Sequence, residues 1–116
     1  MEEVEHMTSK YRNRKTIVAG LTFDSQREAA RYQELKLYER GGFIRDLKCQ
    51  VKFNLIPKQP GERAVDYVAD FTYWEKRFDK EVYVVEDVKS PVTKTPAYVI
   101  KRKLMLWVHG IKIREV

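Results

Sequence analysis

Asp87 and Lys89 stand two residues apart in VYVVEDVKS, at the end of a stretch rich in valine and tyrosine. Side chains alternate across a strand, so both point to one face with Val85 and Tyr83, and Glu86 points to the other. Asp70 lies in YVADFTYW, an otherwise apolar and aromatic run where a carboxylate is costly without a cation, a donor or solvent. If the two runs pair as a hairpin, Asp70 and Asp87 converge. Like charges that close are unfavourable unless a divalent cation lies between them or one is protonated. Hard oxygen ligands with no His or Cys point to Mg²⁺, with Mn²⁺ able to substitute. Such an ion activates water and offsets charge building on a phosphodiester, and Lys89 beside it orients the water or stabilises the phosphate. Glu28, facing the sheet from a helix, supplies a third carboxylate.

Each residue alone has a plainer reading. Ser25 and Glu28 form S-Q-R-E, a capping box that satisfies free N–H groups at a helix start. Asp70 could be an acid paired with Arg45 or Arg102. Asp87 and Lys89 could be a same-face salt bridge, worth little if exposed. The combination carries more weight: an acid in one apolar strand, D-x-K closing the next, and a glutamate on the preceding helix.

The elements that must position these groups follow from periodicity and punctuation. Thr16–Phe23, with Gly20 inside it, reads as a short hairpin leading into a helix. That helix starts near Asp24–Ser25, carries Tyr32 and Leu35 on its apolar side, and ends at Gly41–Gly42. In Phe43–Ile56 the residues Leu47, Cys49, Val51, Phe53 and Leu55 alternate with polar ones, which predicts a half-buried strand with one apolar face. Pro57–Arg63 is a loop. The strands Ala64–Trp74 and Val82–Lys89 follow, joined by the charged turn EKRFDKE, and should pair antiparallel. After the loop Ser90–Pro96, Thr95 caps a second helix with Pro96 at its first position. It runs to about His109 with Ala97, Ile100, Leu104, Trp107 and Val108 on its inner face; Gly110 stops it, and IKIREV forms a final strand. The order is helix, three strands, helix, strand: an α/β domain on one mixed sheet.

The 116 residues suffice for one domain, 16–116, after a basic arm, 1–15. The net charge of +6 suits a polyanion, nucleic acid first and an anionic membrane surface second. No apolar run approaches the ~20 residues of a membrane span, and no hydrophobic leader opens the sequence, so a cytoplasmic protein is expected. Cys49 is the only cysteine, so no internal disulfide forms, and His6 and His109 are too few and too far apart for a zinc motif.

The order Glu28 in SQREAARY, Asp70 in YVADF and D-V-K at 87–89 resembles the PD-(D/E)XK nuclease superfamily. More narrowly it resembles small phage and prophage endonucleases related to the RecU-type and phage endonuclease I-type Holliday junction resolvases. The likeness runs from about Lys10 to Val116 and includes the KYRNRK lead, the G-L-T-F-D-S approach to the first helix and the K-R-K-L-M helix. It implies a restriction-endonuclease-like core, Asp70 and Asp87 as metal ligands, Glu28 as accessory carboxylate and Lys89 as catalytic lysine. Ala69 stands where the superfamily's name places proline, which lowers the specificity of the match and leaves the metal ligands in place.

DNA contacts are expected from Lys10, Arg12, Arg14 and Lys15 in the arm and from Lys94, Lys101, Arg102 and Lys103 around the second helix. Tyr67, Tyr73, Trp74 and Tyr83 read as core and sheet pairs. No base-reading motif is visible, which favours recognition of DNA shape or branching. Symmetric cutting of a four-way junction needs two active sites, most simply a C2 homodimer, to which Leu21, Phe23 and the arm would contribute. No membrane partner and no small-molecule cofactor is expected. The expected activity is a metal-dependent endonuclease acting at four-way junctions, inside the bacterial host of a phage or prophage. Alternatives are a flap, nicking or restriction-type enzyme on the same fold, a non-catalytic DNA-binding module, or a basic RNA-associated protein.

Overall fold

The computed structural model describes residues 15–116. Lys10, Arg12 and Arg14, expected in the basic arm, lie outside the described residues. Strands β1 (Thr16–Val18) and β2 (Leu21–Phe23) form a two-stranded hairpin. Helix α1 (Gln26–Arg40) follows, then β3 (Ile44–Ile56), β4 (Val65–Arg77) and β5 (Lys80–Asp87). Helix α2 (Pro96–His109) crosses back to β6 (Arg114–Glu115). The main sheet has the order β3-β4-β5-β6, antiparallel except for the parallel β5–β6 pair. The mixed α/β sheet is as the periodicity predicts. Among the described residues no helix is long and apolar enough to cross a membrane.

Local chemistry accounts for the boundaries. The Ser25 hydroxyl accepts the Glu28 N–H at 3.1 Å, and the Thr95 hydroxyl accepts the Tyr98 N–H at 3.2 Å, so each helix opens on a satisfied donor. Gly110 ends α2 at φ +69°, a left-handed position that costs glycine little. Strands β4 and β5 run further than the charged turn suggested, leaving only Phe78 and Asp79 outside the ladder.

A core sits on each face of the sheet. Against α1 lie Phe23, Ala29, Tyr32, Leu35, Phe71, Tyr73 and Val84; against α2 lie Leu55, Tyr67, Ala69, Val85, Tyr98, Met105 and Ile113. Tyr67 and Ala69 belong to the α2 side, Phe71 and Tyr73 to the α1 side, although all are odd positions of one strand. Strand β4 therefore changes faces at Asp70. The partner strand does the same. Cys49 pairs with Phe71, Val51 pairs with Ala69, and Gln50 between them sits at φ +55°. The expectation of one continuous apolar face on β3 is thus corrected: Leu47 and Cys49 pack toward α1, Phe53 and Leu55 toward α2.

The inner face of α2 also differs from the expected one. Tyr98 and Met105 are buried, while Ile100, Trp107 and Val108 are exposed, Ala97 is exposed, and Leu104 is half-buried. The helix carries two apolar stripes, and the tertiary contacts chose the one containing Tyr98. Phe23 is buried in the α1 core and cannot line a dimer seam; Leu21 is exposed. Tyr67 and Tyr73 are core residues, and Trp74 meets Tyr83 across β4–β5 at 5.1 Å, the sheet-pair role expected of them.

Candidate active site

The β4–β5 ladder ends at Phe71 and Glu86. Beyond it the strands part, and Asp70 and Asp87 stand at the fork. Asp70 partly closes the fork by accepting the Val88 N–H at 2.8 Å. Neither Arg45 nor Arg102 pairs with Asp70: Arg45 pairs with Glu81 and Arg102 with Glu115. Alternation holds on β5 as the sequence predicts. Val85 and Asp87 face α2, and Glu86 faces α1.

Asp70 is the middle of a row of three carboxylates, beside Asp87 on one side and Glu28 on the other. Glu28 comes from the first turn of α1 and is buried. Its N–H completes the Ser25 cap while its carboxylate accepts Gln50 Nε2 at 3.1 Å, so Glu28 serves the helix and the site together. Lys89 Nζ lies 3.4 Å from Asp87 Oδ2. The structure thus brings together all four residues singled out by the motif.

Desolvation and mutual repulsion raise all three acids. Burial pushes Glu28 up most, with the charges of Asp24 and Asp87 adding to it. Burial raises Asp70, against hydrogen bonds that favour its charged form. Asp87 is pushed up to about 7, first by burial and then by Asp70, with Lys89 opposing. The Tyr67 hydroxyl is buried beside Asp87 and makes no hydrogen bond of good geometry among the described residues, and burial and then the Asp87 charge drive its phenol upward.

Among the described residues no three His, Cys, Asp or Glu side chains close around one ion. A row of two or three carboxylates still fits a hard cation. Mg²⁺ keeps several waters and is commonly held by one or two carboxylates together with a substrate phosphate. Asp70 and Asp87 have the right donor chemistry and the repulsion that a cation relieves, with Glu28 next in the row.

Three contributors were invisible in the sequence. Gln50 holds Glu28 from a left-handed backbone position, a local strain of about 1 kcal/mol or more that the surrounding ladder must impose. Tyr67 stands beside Asp87. The Tyr98 ring lies under Lys89, its centroid 4.3 Å from Nζ. A tyrosine in an apolar run gives no sign of such a role, and a non-glycine left-handed residue inside an alternating strand leaves no compositional mark.

The expected DNA-contacting cations divide. Lys15 pairs with Asp24 at 3.1 Å, and Lys94 and Arg102 both reach Glu115. Lys101 is half-buried and Lys103 is exposed. Arg102, Lys103 and Lys112 line a cleft of about 380 Å³ with Leu106, Ile113 and Glu115, whose backbone pairs with Asp87. Cations around this cleft outnumber its single carboxylate.

The chain belongs to the family DUF1064, described as a protein of unknown function, whose model matches residues 8–113. No curated protein and no solved structure matches it.

Proposed function

We propose that this DUF1064 chain is a divalent-metal-dependent endodeoxyribonuclease of the PD-(D/E)XK type, selective for branched DNA and resolving four-way junctions as a homodimer in the bacterial cytoplasm. The observation that carries the reading is the fork itself. Buried Asp87 and half-buried Asp70 on diverging strands repel each other, a lysine two residues on from Asp87 lies beside it, and a glutamate from the first helix completes the row. A purely structural site has no use for that repulsion.

Asp70 and Asp87 would hold Mg²⁺ or Mn²⁺, with Glu28 accessory. When bound, the ion supplies Lewis-acid stabilisation of the phosphodiester and lowers the pKa of water. The chain's own groups do the rest. Gln50 aims Glu28, the Val88 N–H fixes one oxygen of Asp70, and Lys89 offers a cation to the phosphate or the attacking water. Lys103 and Lys112 in the basic cleft, one strand over from Asp87, suit the neighbouring phosphates. Recognition through backbone and shape follows from the lack of a base-reading element.

The test is a gel cleavage assay on a four-way junction, a flap, a nicked duplex and a linear duplex, with Mg²⁺, Mn²⁺ or EDTA. Paired nicks confined to the junction, lost in EDTA and in Asp87→Asn, are the expected result. Equal cutting of all four substrates would retain the nuclease and remove the junction selectivity. Undiminished cleavage by Asp70→Asn or Asp87→Asn would refute the site.

A further inference from the structure

Lysine has a long flexible stem, and a lysine that must meet one phosphate or one water needs to be confined. The confinement of Lys89 is visible. Its Nζ lies 4.3 Å from the centroid of the Tyr98 ring and 3.4 Å from Asp87, so an aromatic face and a carboxylate hold it between them. Tyr98 is itself fixed at both ends. Its N–H donates to the cap residue Thr95, and its hydroxyl donates to Glu115 Oε2 at 2.7 Å. Glu115 is gripped by Lys94 at 2.9 Å and Arg102 at 3.0 Å, and its backbone pairs with Asp87 across β5–β6. The chain of contacts returns to where it began. Tyr98 is buried, so its ring has little freedom to turn away.

We infer that Tyr98, oriented by Glu115, is the positioning residue for Lys89. The catalytic consequence rests on the nuclease reading; the brace does not. Glu115 contributes orientation alone: its basic neighbours and the Tyr98 hydroxyl hold its carboxylate well below the ordinary range, so it stays an acceptor for the phenol.

The experiment has two arms. The first compares junction cleavage with Mg²⁺ by wild type, Tyr98→Leu, Tyr98→Phe and Lys89→Ala, with Tyr98→Leu also placed in the Lys89→Ala background. Tyr98→Leu should lower kcat by about a hundred-fold, the scale of a ~1 Å misplacement, with KM little changed. Tyr98→Phe keeps the ring and should recover most of that loss. In the Lys89→Ala background Tyr98→Leu should cost nothing further, because its effect passes through Lys89. An equal loss in both backgrounds would overturn the inference, since a merely structural residue gives that result.

The second arm needs no metal and no DNA. In the NMR spectrum of the full chain, the Lys89 ε-methylene protons should lie upfield of those of other lysines by the ring current of Tyr98. Tyr98→Phe should preserve that shift and Tyr98→Leu abolish it. A wild-type Lys89 resonance at the ordinary lysine position would overturn the inference even if Tyr98→Leu fails to fold. A shifted resonance in a protein that cuts no DNA would uphold the brace and overturn the nuclease reading.

Discussion

Glu86 and Asp87 are adjacent, both carboxylates, both almost wholly buried, and opposite in every other respect. Glu86 faces α1. Arg31 donates to its two oxygens from Nε and Nη2, and the Tyr73 hydroxyl donates as well. Arg114 then ties Tyr73 to Glu75. Asp87 faces α2, where its nearest charged neighbours are another carboxylate and Lys89 at 3.4 Å. A buried charge survives in a fold when partners replace its lost hydration. Glu86 is satisfied in that way and Asp87 is left in deficit. One residue step across a strand separates an acid that holds the fold together from an acid that the fold holds ready.

The largest separation between the two should come from substituting each. Asp87→Asn should lower cleavage by a thousand-fold or more (about 4 kcal/mol of transition-state stabilisation) while the protein stays folded. Its melting temperature should rise, because the repulsion with Asp70 is gone. Glu86→Ala should do the reverse in kind, destabilising by about 3 kcal/mol because half-buried Arg31 and the buried Tyr73 hydroxyl lose their shared acceptor. Chemical denaturation of both variants checks this. An Asp87→Asn protein as unstable as Glu86→Ala would dissolve the distinction.

A smaller effect should appear in the pH dependence of the metal-free protein. Asp87 is raised from 3.8 to about 7 in the folded state. Between those values the folded chain binds a proton that the unfolded chain releases. This contribution is therefore fully present below about 4 and is lost as pH rises through about 7. Asp87→Asn should flatten that slope. Divalent cation should compensate for the loss: with saturating Mg²⁺ or Mn²⁺ the melting temperature should rise more at pH 8 than at pH 5, where a proton competes for Asp87. Equal metal-induced shifts at both pH values would count against Asp87 as a ligand.

The smallest effect concerns Tyr67. Its hydroxyl is buried beside Asp87 and makes no hydrogen bond of good geometry among the described residues, so Tyr67→Phe should be neutral or stabilise by up to ~1 kcal/mol. Tyr73→Phe, on the Glu86 side, should instead destabilise by about 1–3 kcal/mol, since a hydrogen bond to a charged group is lost. Similar values for the two tyrosines would mean that the Asp87 side is not under-satisfied after all.

Much of this was legible in the chain. Ser25, Thr95, Pro96 and Gly110 mark helix ends by chemistry that acts within a few residues, and the D-V-K spacing fixes which acid accompanies Lys89. What failed to show depended on contacts far apart in sequence. The change of faces at Asp70 needs Gln50 in a left-handed conformation, and glutamine among alternating apolar residues gives no warning of it. Periodicity alone selects the wrong stripe of α2 because Ile100 and Trp107 look more apolar than Tyr98. Yet Tyr98 alone can meet Glu115 with its hydroxyl and Lys89 with its ring. Alternation puts Glu86 on its observed face, but Arg31 lies 55 positions away and nothing local links the two.

On the proposed reading the Asp70–Asp87 fork, and not the neighbouring Glu86, holds the cation. Mn²⁺ titrated into the ¹⁵N-labelled protein tests it directly through paramagnetic broadening of backbone amides. Broadening should centre on Val88 and Phe71 in wild type and Glu86→Gln, and be absent there in Asp70→Asn and Asp87→Asn. Broadening that persists in both aspartate variants, or that never appears at the fork in wild type, would contradict it.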